Sequence, residues 1–166
     1  GRLSLNPFRH WDSVGTTLLV ILLGFRMLGL TGVPVFGWGK PVPVNEDNFD
    51  NPRLHGIQTA LAGPMSNFIL AILISLILRT VELSPILNSI LLTAVYLNLF
   101  LMFFNLLPIP PLDGSRLLRL FISDRAYYTL ASSPVFLFGA IFIVLFVLAD
   151  YLVTASGYLT KLLIGS

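Results

Sequence analysis

Cysteine is absent from this chain, and charge is scarce: Lys and Arg total 10, Asp and Glu 8, and His 2 among 166 residues. The missing thiols exclude disulfides and thiolate metal sites and leave the redox compartment open. Charged residues make up 11% of the chain, against about 25% in a soluble domain, too few to cover a water-facing surface. The net charge of +2 is spread along the sequence, which gives no footprint for nucleic acid. HExxH, GxSxG and a phosphate loop are all missing, as are internal repeats and low-complexity tracts. Without paired repeats or a row of ionisable groups along a path, a transporter is disfavoured.

Apolar residues are what the chain has in quantity, 55% of it, with a mean hydropathy of +0.86. Uncharged runs extend from Leu54 to Leu78, Leu83 to Leu112 and Ala126 to Ala149, each able to supply the ~20 residues that cross a ~30 Å hydrocarbon core. We therefore expect an integral, all-α polytopic membrane protein with about four or five transmembrane helices in a single membrane domain, residues 1–166. Spans are expected at Val14–Leu30, Gly56–Leu78, Ile86–Leu107 and Pro134–Leu148, with a loosely apolar tail helix beyond. Arg26 is near enough to the end of the first span to snorkel. Between the first two spans, Pro41 and Pro43 alternate with Val42 and Val44. Proline at period two suits an edge strand or extended segment, so a short extended or β-hairpin-like loop is expected around residues 36–50. The segment Ser115–Asp124 reads as an interfacial helix with Arg116 and Arg119 on one side. Basic residues barely favour a cytoplasmic position for the turn at residues 110–114. The sequence opens on Gly1 without a methionine or a signal-peptide pattern, so upstream residues are expected.

Polar residues within membrane segments are functional candidates. In "LAGPMSN", Pro64 cannot donate to the Ala60 carbonyl, so a kink is expected. Gly63 and Asn67 share a face suited to close packing with one inward polar group. Asn98 and Asn105 lie seven apart on one face and would serve equally as interhelical hydrogen-bond partners. His10 and His55 have no ligand spacing and read as interfacial or solvated. Asp113, in "FNLLPIPPLDGSR", follows a long uncharged stretch. Because Asp-Gly is a turn dipeptide, the residues alone leave Asp113 either a plain turn residue or a carboxylate kept near the membrane for chemistry.

The ordered motifs "GRLSLNPFRHWDSVGT", "FGWGKPVPVN", "ALAGPMSN" and "FNLLPIPPLDGSR" resemble the bacterial-type branch of the site-2 protease family, the intramembrane zinc metalloproteases. The resemblance spans about Gly1 to Leu118. It implies an endopeptidase acting on transmembrane protein substrates, embedded among membrane lipids in a bacterial plasma membrane or an organelle membrane of bacterial origin. In that family two zinc ligands are the histidines of an HExxH helix whose glutamate is the general base, and the third is the aspartate of "LDG", which falls on Asp113, with Gly114 beside it. Asn105 and Pro111 match a loop that holds unwound substrate, and the segment bearing Pro41, Val42 and Pro43 could pair with substrate by strand addition. Gly63, Pro64 and Asn67 match a "GPxxN" packing pattern. Ser115 stands where the family usually has a second glycine. The HExxH helix, which the family places just before the first motif, is not in this sequence, so no catalytic base is expected within it. The resemblance thus implies either the C-terminal part of a zinc protease, with histidines and base upstream of Gly1, or an inactive scaffold subunit of a membrane complex that holds no metal.

Overall fold

A computed structural model of the chain describes Thr17, Ile21 and residues 50–165. The chain divides at Asn45 and Glu46, and all that follows concerns the second unit. The first expected span, apart from Thr17 and Ile21, and the extended loop with Pro41, Val42 and Pro43 lie outside the described residues, as do Arg26 and His10.

Every described element is helical. Helix α1 is Pro52–Thr80 and α2 is Pro85–Leu106. The 3₁₀ segment Asp113–Leu120 precedes the short helix α3, Asp124–Ala131. Last comes α4, Pro134–Ile164, with a π-helical stretch at Val144–Leu148. The starts of the three long helices share one device. Asn51, Ser84 and Ser133 precede Pro52, Pro85 and Pro134, and each accepts from a backbone N–H one turn in: Leu54 N at 3.1 Å, Leu87 N at 3.4 Å and Phe136 N at 3.3 Å. The cap oxygen satisfies one orphan donor, and proline at the first helical position has no N–H to leave unpaired.

Among the described residues α1, α2 and α4, at 29, 22 and 31 residues, are long and apolar enough to cross a membrane. Their apolar side chains are largely outward: Ile86 is 76% exposed, Phe138 75% and Val135 83%. A water-facing helix of this composition would be unstable, but lipid is as apolar as leucine. Several polar side chains along these helices turn back onto their own backbones, which satisfies their donors within the helix. Ser75, Ser156 and Thr160 donate to the carbonyls of Ala71, Leu152 and Ser156 at 2.6–2.7 Å. Asn98 does the same to Ala94 at 2.8 Å, so its amide is held within its own helix.

The turn Val81–Ser84 reverses the chain, and α1 packs against α2 along their length, with α4 against α2. The core is small: Ala71 of α1 with Val95, Leu99 and Met102 of α2, flanked by Leu159 and Leu163 of α4. Alanine at 71 lets the helices approach closely, which suits a bundle held by dispersion rather than by exclusion of water. At one end Arg79 donates to the Leu162 carbonyl at 2.8 Å; at the other Arg53 donates to the Ile122 carbonyl at 3.3 Å.

Several sequence expectations are adjusted. The uncharged run Ala126–Ala149 holds the end of α3 as well as a span, and the Ser133–Pro134 start opens a new helix at the residue where the fourth span is expected. That new helix runs without a break through Asp150 to Ile164, so the fourth span and the tail are one element. Helix α1 includes Pro64, the residue at which a kink is expected, without ending there. The segment after Asp113, expected as a helix, is a 3₁₀ helix with Arg119 buried at 3% exposure.

Candidate site around Asp113

The chain leaves α2 through a sequence of tight turns. Leu107 N donates to Phe104 O at 3.2 Å, Ile109 N to Leu107 O at 2.8 Å, Leu112 N to Ile109 O at 2.9 Å and Ser115 N to Leu112 O at 3.0 Å. Three prolines between 108 and 111 remove the donors a helix would need, so the backbone groups that remain pair locally. The Pro110–Pro111 bond is cis. Residues Ile109–Leu112 and Phe104 line an apolar cavity of about 100 Å³, closed on the far side by Ile141 and Val144 of α4.

The 3₁₀ helix begins at Asp113 and folds back onto the end of α2. Gly114 is buried there, and a Cβ on it would overlap the Leu106 carbonyl and lie 2.8 Å from the Leu106 Cα. Only glycine permits this approach, because the obstacle is backbone and cannot rotate aside. The carboxylate of Asp113 is aimed toward α1: a Cβ on Gly63 would lie 3.1 Å from Oδ2. Glycine at 63 therefore leaves room for an acid fifty residues later, besides suiting helix packing. Partial burial pushes the Asp113 carboxyl pKa up, and the positive charge of Arg116 opposes the shift.

The 3₁₀ helix is held by α3. Ser115, 1% exposed, shares a hydrogen bond of 3.0 Å with the Tyr127 hydroxyl. Arg119 donates from Nε to Asp124 Oδ1 at 2.8 Å, and its Cζ lies 5.9 Å and 5.7 Å from the ring centroids of Tyr127 and Tyr128. That bond holds the Asp124 carboxyl below the usual carboxylate range.

Gly63, Asp113 and Gly114 are thus brought together at the loop. Pro111 is exposed on the loop's cavity-lining stretch, and Asn105 is half-buried in the last turn of α2. Pro64 is buried and Asn67 half-buried on α1. The Ser115–Tyr127 and Arg119–Asp124 contacts were not anticipated from sequence. Their only hint was a serine in place of a second glycine, followed by two arginines three residues apart.

A zinc centre that works on peptides takes three protein ligands and an open position. Among the described residues no three His, Cys, Asp or Glu come together. Asp113 fits one ligand position, since its carboxylate is exposed beside a gap that Gly63 keeps open, but the described residues do not complete a centre.

Residues 80–148 match the family model described as peptidase family M50. The chain is 39% identical over 158 residues to YwhC of Bacillus subtilis, a candidate zinc metalloprotease by name, covering 89% of this chain and 65% of that protein. It is 40% identical over 99 residues to MJ0611 of Methanocaldococcus jannaschii, named in the same way, covering 60% of this chain and 50% of that one. Over 77 residues it is 32% identical to the zinc metalloprotease MJ0392 of the same organism, covering 46% of this chain and 23% of that one. The chain therefore spans less than two thirds of the length of these curated relatives. No solved structure matches it.

Proposed function

Because residues 80–148 match the peptidase family M50 model and 89% of the chain aligns at 39% identity with a candidate zinc metalloprotease, we propose that it belongs to the site-2 proteases and is part of an intramembrane zinc metalloendopeptidase that cleaves membrane-protein substrates. In this reading Asp113 is the third metal ligand, and an HExxH helix that is not in this sequence would contribute two histidines and the general base. Bound zinc would polarise the scissile carbonyl and bring the pKa of its water to about 7. The observation that carries the reading is the meeting of two distant motifs at one point. The glycine of "GPMSN" clears the space that the aspartate of "LDG" faces, with a would-be Cβ 3.1 Å from Oδ2.

The chain's own residues have separable tasks in this scheme. Asp113 holds a negative oxygen at the end of α2, outside the three membrane-crossing helices. Gly63 and Gly114 let α1 and α2 approach that oxygen. Asn105, Pro111 and the segment with Pro41, Val42 and Pro43 would bind an unwound substrate strand. Asp113→Asn in the protein with its upstream region should abolish cleavage of a transmembrane substrate while leaving the protein folded in the membrane. Cleavage at the normal rate by that variant would exclude Asp113 as a ligand. Purified full-length protein that holds no zinc, and whose function ignores chelators, would instead support the inactive-scaffold reading with other membrane subunits as partners.

A further inference from the structure

We propose that Ser115, Tyr127, Arg119 and Asp124 form a latch that sets the position of Asp113, making Tyr127 and Arg119 positioning residues for the reaction. The activity part of this inference rests on the proposed role of Asp113; the structural part does not.

A 3₁₀ helix has poorer hydrogen bonds than an α-helix and rarely runs beyond 3–4 residues. Asp113–Leu120 runs for 8, so it must be held from outside. At its N-terminal side Ser115 and Tyr127 share a buried hydroxyl pair at 3.0 Å. At its C-terminal side Arg119 is 3% exposed, bonded to Asp124 at 2.8 Å and set against two tyrosine rings. Arg53 of α1 adds a bond to the Ile122 carbonyl just beyond. A buried arginine without its partner would carry an uncompensated charge, so these contacts act together.

The geometry gives the latch a specific consequence. The 3₁₀ form rises about 2.0 Å per residue and the α form about 1.5 Å. Relaxation of the segment toward an α-helix would shorten it by roughly 4 Å. Gly114 is wedged against the Leu106 backbone, so such a change would disturb the junction where Asp113 begins. A misplacement of about 1 Å at a reacting group can cost about 10²-fold in rate.

Tyr127→Phe tests this with the smallest perturbation, since it removes one oxygen and keeps the ring beside Arg119. In the full-length protein in lipid nanodiscs, amide exchange at residues 113–120 should quicken at least about tenfold, with α1 and α2 unchanged. For a transmembrane substrate, kcat should fall by about 10–100-fold, the range seen for residues that orient a metal ligand, with KM within about twofold. Ser115→Ala should behave alike, and the double variant should be no worse than either single one. Unchanged exchange at 113–120, or exchange quickened equally throughout the bundle, would overturn the latch. Quickened exchange with wild-type kcat would overturn its positioning role. Should Asp113→Asn prove fully active while Tyr127→Phe still loosens 113–120, the metal-ligand reading fails and the latch as a structural device stands.

Discussion

The helical bundle and the turn that carries Asp113 are built on opposite principles. In the bundle, Ala71, Val95, Leu99 and Met102 pack without a polar contact between them, and serine and threonine hydroxyls are consumed by their own helices. Between Leu107 and Ala131 the chain is held by directional bonds: stacked turns after α2, the Ser115–Tyr127 hydroxyl pair and the Arg119–Asp124 ion pair. Lipid offers helices no hydrophobic drive to associate, so the bundle relies on close fit. The turn has no regular ladder to supply its hydrogen bonds, so it relies on individual side chains. A site that must hold one carboxylate at one point gains from the second design, because each bond fixes a direction as well as a distance.

This contrast can be broken first at the bundle. Leu99 is fully buried, and Leu99→Ala should lower stability by about 2–5 kcal/mol, read as unfolding in detergent, while leaving exchange at 113–120 little changed until the bundle opens. An equal loosening of both regions would show that they are not separate. Gly114→Ala comes next. Its Cβ meets backbone, so the loop must shift, at a cost of about 1–3 kcal/mol or more, concentrated in residues 107–120 and accompanied by loss of activity. Gly63→Ala should be milder, because the obstacle at 3.1 Å is the end of the Asp113 side chain, which can move by a few tenths of an ångström. We expect a folded protein with reduced activity, and Gly63→Leu should reduce it further; a fully active Gly63→Leu variant would show that the space beside Asp113 is not needed.

The smallest effect is electrostatic and sharpens the picture of the latch. The Asp124 carboxyl is held below its ordinary value by Arg119, so its ionised form is favoured by folding. Its contribution is present above the unfolded pKa of about 3.9 and is lost as pH falls through the lower folded value. Exchange at the start of α3 should therefore quicken only under acid conditions below about pH 4, and Asp124→Asn should remove that acid-dependent step. A variant whose exchange follows the same pH curve would place the acid sensitivity elsewhere.

Sequence reading located the membrane-crossing helices within a few residues where an uncharged run ended in an obvious turn, as at Arg79–Pro85. It placed the start of α4 at Pro134, where Ser133 and Pro134 give a strong helix start, but gave α3 no element of its own. It divided α4 near Asp150 because one acid looks like a boundary; the residue is exposed and one charge does not end a helix. Asp113 was visible as a candidate, but only the resemblance gave it a metal-binding role. That its oxygen faces Gly63 was not legible, since no local pattern links residues fifty apart.

By itself, then, the sequence determined that this chain belongs in a membrane, roughly where it crosses, and which family its motifs resemble. Those properties follow from composition, apolar run length and motif order, all of which are local. Only the tertiary structure decided that Gly63 faces Asp113, that Gly114 must lack a side chain, and that a 3₁₀ helix is pinned by Tyr127 and Asp124. These depend on bonds and approaches between separate elements, and a contact of about 3 Å exists only once the backbones on both sides have been placed.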